Sequence, residues 1–99
     1  MRYRIEDAEL QRIDANDGYK AAHLSKDLHR AIRKVLNLIR AAVDQRSLYA
    51  FKALRLDKLV GDRAGQYSIR LNRQFRLILK FEKDKQGQIA VVIELVDYH

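Results

Sequence analysis

The sequence predicts an α+β fold, with helices packed on one face of a mostly antiparallel sheet. Three observations predict it. Apolar residues recur at helical spacing between Ser25 and about Asp44. From about Leu54 the apolar period changes to two, the period of a strand. Short polar segments, "NRQ" and "KDKQGQ", separate the alternating runs as hairpin turns do. With 99 residues, the chain has the size of one domain, taken here as residues 1–99.

The elements follow in order. "RYRI" is short and apolar enough for a first strand. "DAELQRI" reads as a short helix that Asp7 caps, with Leu10 and Ile13 three apart and Gly18 in the loop beyond. The long helix has Ser25 as N-cap and Asp27 in the favoured first turn. Leu28, Ile32, Val35, Leu36, Ile39, Ala42 and Val43 form its apolar stripe, and Arg30, Arg33, Lys34 and Arg40 its polar face. At 1.5 Å per residue it is about 30 Å long, enough to cover a sheet. "RSLYAFKAL" fits a connecting turn or a further helical piece.

"LRLDKLVG" is the next strand. "AGQYSIRLN" sets Tyr67, Ile69 and Leu71 against Ser68, Arg70 and Asn72, and "FRLILKFE" sets Phe75, Leu77, Leu79 and Phe81 against Arg76, Ile78 and Lys80. "IAVVIELVDYH" is apolar on both faces, as a central or helix-covered strand is.

Charge narrows the function. Twenty Lys and Arg oppose 13 acids, a net charge of +7. Such a balance favours an anionic partner, and guanidinium binds phosphate bidentately and stacks on bases. The absence of cysteine removes disulfide and thiolate–metal schemes and suits a reducing cytoplasm. No apolar run approaches the roughly 18–20 residues of a membrane span, and "MRYRIEDAELQRIDANDG" is too charged for a signal peptide.

Two constellations can carry chemistry. Arg70 and Arg76 flank the "LNRQF" hairpin and fall together on one sheet face, where two like charges call for an anion between them. The competing reading is that a carboxylate such as Glu94 neutralises one of them. Asp97, Tyr98 and His99 combine a carboxylate, a phenol and an imidazole, the last titrating near neutral pH. Together with an arginine they supply a proton acceptor, a proton donor and a cation, as cleavage of RNA through the 2′-hydroxyl requires. The competing reading is a solvated polar segment. Metal chemistry has little support, because His23 and His29 are six residues apart and do not share a helix face at i,i+4 spacing. "GDRAG" lacks a Walker lysine, so Gly61 and Gly65 are turn residues. A recognition helix for direct DNA reading is not apparent.

The run "LDKLVGDRAGQYSIRLNRQFRLILKF" followed by "IELVDYH" resembles the HigB-type toxins of the RelE superfamily. The resemblance covers about Leu54 to His99, and its specificity lies in the combination of "GDRAGQYSIRLN", "FR" and "DYH". It implies a microbial RNase fold and cleavage of mRNA in the ribosomal A site without a metal or other cofactor. It implies inhibition by a HigA-type helix-turn-helix antitoxin, with operator DNA bound only through the antitoxin complex. Carried over by position, Arg76 holds the scissile phosphate, Asp97 and His99 support proton transfer, and Tyr98 contacts substrate. Arg63, Arg70, Lys58 and Arg73 are the RNA contacts. The chain departs from the pattern at Asp57, where some members carry histidine, at Val60, where some carry lysine, and at Phe75, commonly tryptophan. The departures at Asp57 and Val60 motivate an alternative, a noncatalytic relative that binds RNA, ribosome or antitoxin; that at Phe75 is a conservative packing change.

Overall fold

The computed structural model describes residues 1–98; His99 lies outside them. Strand β1 (Arg2–Ile5) leads into helix α1 (Ala8–Ala15), then α2 (Lys26–Ala41) and α3 (Gln45–Ala50). Strands β2 (Asp57–Lys58), β3 (Tyr67–Arg70), β4 (Phe75–Asp84) and β5 (Gly87–Asp97) follow. The five strands are ordered β1-β5-β4-β3-β2, antiparallel except that β1 runs parallel to β5. This is the predicted α+β class.

The helices start where side-chain caps satisfy orphan backbone donors. The Asp7 carboxylate accepts from the Leu10 N–H at 2.9 Å, and the Ser25 hydroxyl from the Leu28 N–H at 3.1 Å. The apolar stripe of α2, Leu28, Ile32, Val35, Leu36 and Ile39, is buried on Ile69, Leu77, Leu79, Ala90 and Val92 of the sheet. Full burial of each such side chain contributes about 1.5–3 kcal/mol.

The polar face of α2 is not simply solvated. Arg33 donates to the carbonyls of Ile13, Asn16 and Tyr19, closing the C-terminal end of α1. Arg40 donates to the Tyr3 hydroxyl, which itself donates to Asp14 at 2.7 Å. His29 is buried and structural: Nε2 accepts from the Ala21 N–H and Nδ1 donates to the Ser25 carbonyl, both at 2.8 Å. A backbone N–H can only donate and a carbonyl only accept, so the ring proton sits on Nδ1.

Two expectations need correction. Helix α2 ends at Ala41, and Val43 is 81% exposed rather than part of the stripe. The stop comes from the next helix: the Asp44 carboxylate accepts from the Arg46 N–H and caps α3. "LRLDKLVG" is a strand only at Asp57–Lys58. Leu54 closes a 3₁₀ turn, Arg55 adopts a left-handed conformation with φ 46°, and Leu56 turns into the core. "RSLYAFKAL" resolves into α3 and that 3₁₀ turn.

Candidate active site

The face of the sheet away from the helices carries the charged residues. Register places Asp57 beside Ser68, Ser68 beside Ile78, and Ile78 beside Glu94. It places Arg70 directly opposite Arg76, and Arg76 opposite Val96. Ser68, Ile78 and Val91 are buried here, outside the cluster that packs against the helices. Ile78 lies between Arg76 and Lys80 along β4 and beside Glu94, which the 3₁₀ turn Gly61–Arg63 reaches through Arg63.

A β-bulge sets the phase of the last strand. Ile78 pairs with Glu94, but Leu79 pairs with Val92, leaving Ile93 as the extra residue of β5. Before the bulge, Ala90 and Val92 face the helices. After it, Leu95 and Asp97 lie opposite Leu77 and Phe75, on the helix side. Glu94, Val96 and the following Tyr98 therefore lie on the Arg76 side. Strict alternation would have given the reverse.

The electrostatics of this patch centre on Arg76. Its guanidinium carbon lies 5.5 Å from the centre of the Tyr98 ring, a cation–π contact. Its Nη1 is 3.9 Å from the Asp57 carboxylate, within ion-pair range but beyond hydrogen-bonding distance. Nη1 is buried and has no hydrogen-bond partner among the described residues. A buried donor in that condition costs free energy that an incoming anion would recover. Arg70 has no ion pair among the described residues and donates weakly, at 3.4 Å, to the Asn72 carbonyl. The competing acid takes a different arginine: Glu94 is 3.2 Å from Arg63, which also donates to Gln66.

Of the sequence-predicted residues, Arg63, Arg70, Arg76 and Tyr98 come together on this patch. Arg73 is exposed at the tip of the β3–β4 turn, where the Asn72 side chain accepts from the N–H groups of Gln74 and Phe75. Lys58 pairs with Tyr67 and so lies on the other side of β2. Asp97 does not join Arg76. The bulge turns it to the Phe75 side, where it accepts from the Gln74 amide at 3.0 Å. His99 lies outside the described residues. Sequence reasoning noted Asp57 only as a departure from a pattern. Its place beside Arg76 follows from β2–β3 register, which two residues of strand do not announce.

The profile of the HigB-like toxins, described as RelE-like toxins of type II toxin–antitoxin systems, matches residues 4–99. This chain is a HigB-like toxin. The fold agrees: a YoeB/ParE toxin from Agrobacterium tumefaciens superposes with a TM-score of 0.63 at 20% identity, covering 100% of both chains. No curated protein sequence matches this HigB-like toxin. As the toxin of a type II system it has an antitoxin partner. Among its described residues, no helix is long and apolar enough to cross a membrane.

Proposed function

We propose that this HigB-like toxin, acting as a single domain, is a ribosome-dependent mRNA endonuclease that cuts through the 2′-hydroxyl without a metal. The observation that carries the reading is the buried Nη1 of Arg76, which lacks a hydrogen-bond partner among the described residues and lies in a patch rich in arginine. Guanidinium donors aimed at a phosphate stabilise the charge that develops on the phosphorane. Arg76 is four-fifths shielded from water, which strengthens that interaction. Arg70, with Arg63 and Arg73 further out, steers and positions the RNA backbone. The half-exposed Tyr98 packs Arg76 on one side and offers a ring edge to a base.

His99 follows Tyr98 directly and is assigned proton donation to the leaving 5′-oxygen, on the strength of the family motif. The setting is the cytoplasm, the substrate is mRNA in the ribosomal A site, and a HigA-type antitoxin restrains the toxin. Operator DNA is reached through the antitoxin complex.

The test is induced expression with mapping of mRNA 5′ ends, wild type against Arg76→Ala. Growth arrest with new ends inside translated codons, both lost in Arg76→Ala, is the expected result. Arrest or ribosome binding without new ends would make the chain a noncatalytic binder instead.

A further inference from the structure

We propose that the cavity between the α1–α2 loop and the first turns of α2 is a second anion site, which binds a phosphate group on the helix side of the molecule. It stands apart from the endonuclease reading, because none of its residues belongs to the sheet face that carries Arg76.

Asp17, Lys20, Lys26, His29, Arg30 and Arg33 line this cavity of about 220 Å³. Four cations therefore share it with one carboxylate. That acid does not neutralise them: the Asp17 side chain is 99% exposed, and its carboxylate lies 4.0 Å from Arg33, at the limit of ion-pair range. Arg30 is 3.3 Å from Asp27 on its own helix, and both are well exposed. Lys20 and Lys26 are exposed and have no ion pair among the described residues. Like charges gathered about one cavity repel one another, and an anion between them removes that cost.

The frame around the cavity is held by other contacts. Arg33 donates to the carbonyls of Ile13, Asn16 and Tyr19, which fixes the loop just before Lys20. His29 ties the same loop to α2, accepting from the Ala21 N–H at Nε2 and donating to the Ser25 carbonyl at Nδ1. With both ring nitrogens engaged, His29 has no donor left for an anion, and its part is to shape the wall. Binding then orders the side chains of Lys20, Lys26 and Arg30, while the backbone that carries them is already set.

The donor set suits phosphate better than carboxylate. A tetrahedral phosphate accepts from donors arriving on several sides, whereas a carboxylate accepts in one plane. Guanidinium and ammonium groups are also the usual partners of phosphate. Four cations converging on one cavity fit a single phosphate group, carried either by a free nucleotide or by an RNA backbone.

The test uses the full chain at low salt with inorganic pyrophosphate as the probe, followed by calorimetry and by amide NMR. Pyrophosphate should shift the amide signals of Ala21 and His29, and Arg76→Ala should leave those shifts in place. Lys20→Ala combined with Lys26→Ala should weaken pyrophosphate binding by about tenfold. Both lysines are exposed, so that double variant should keep the wild-type Tm, and Lys20→Arg with Lys26→Arg should restore binding. Two further probes, ATP and a single-stranded RNA oligomer, identify the source of the phosphate. A double alanine variant that loses ATP affinity but keeps the salt slope for RNA assigns the site to a free nucleotide. One that lowers the slope of log affinity against log salt for RNA by about 0.7 assigns it to an RNA backbone. Pyrophosphate shifts confined to Arg70 and Arg76 overturn the proposal without the need for any variant. So does an affinity for pyrophosphate unchanged by removing both lysines. If that variant then loses binding to a polyglutamate peptide, the surface is one for an acidic protein instead.

Discussion

The charged face of the sheet has two ends, and its arginines are treated differently at each. At the β1 end, cross-strand neighbours neutralise them. Arg2 makes a two-pronged contact with Asp84 at 2.6 and 3.0 Å, and Arg4 reaches Glu82 at 3.2 Å. The hydrogen bonds from Arg2 and Arg4 hold the Asp84 and Glu82 carboxyls below the usual range. At the β3 end, register sets Arg70 against Arg76, and among the described residues the one carboxylate within ion-pair range of Arg76, that of Asp57, stands 3.9 Å from Nη1 with no hydrogen bond. Net charge does not distinguish the ends; cationic residues stand at both. What differs is whether the donors already have acceptors. At the β1 end the arginine donors have acceptors, whereas at the β3 end the buried Nη1 of Arg76 has none among the described residues, a cost that a bound anion would relieve.

The largest expected effect breaks the comparison at the open end. Arg76→Ala should lower the single-turnover cutting rate about 10²–10³-fold, as loss of one donor to a developing oxyanion does. Arg4→Ala at the closed end should leave the rate unchanged. Equal losses in the two variants, measured on the same ribosomal substrate, would erase the distinction.

Salt dependence gives a smaller effect. Arg70→Ala should reduce the slope of log affinity for single-stranded RNA against log salt by about 0.7, one phosphate contact. The same measurement on Arg2→Ala should return the wild-type slope.

The remaining two effects concern stability. Tyr3, on the helix side of β1, has its hydroxyl pushed up to about 12, first by burial and then by Asp14. A folded value above the unfolded one of about 10 means stability is complete below pH 10 and falls as pH rises toward 12. Chemical unfolding of Tyr3→Phe should show a shallower decline over that window than wild type. The smallest effect belongs to Asp84→Asn. Its lowered carboxyl contributes stability that is present above the ordinary carboxylate range and fades as pH falls through the folded value. The difference from wild type should be slight at neutral pH and should vanish in about 1 M salt, where screening reaches about 3 Å.

Much of the fold is legible in the chain because it is written in local periods and caps. The stripe of α2 and its Ser25 cap, the Asp7 cap, and the alternation of β3 and β4 around "NRQ" all need only neighbours in sequence. That alternation also brings Arg70 opposite Arg76, so half of the candidate site is visible from one hairpin. Features that depend on competition between elements are not visible. Val43 fits the helical period, yet Asp44 starts another helix and the period stops. Leu54 and Leu56 are apolar and spaced like a strand, yet they serve the core from a turn and a loop.

By itself the sequence determined the α+β class, the helical cover, the β3–β4 hairpin with its facing arginines, and the family motif. Those depend on side-chain spacing, which the chain carries explicitly. The tertiary structure decided which side of the sheet each late residue faces. One extra residue at Ile93 reverses the phase of β5, sending Asp97 to Gln74 and Tyr98 to Arg76, while β2–β3 register brings Asp57 to the same guanidinium. A bulge is a property of two paired strands of unequal local length, so neither strand's sequence announces it. In "VDYH" the residues are fixed by the chain, but the face each of the described ones serves is fixed by its partner strand.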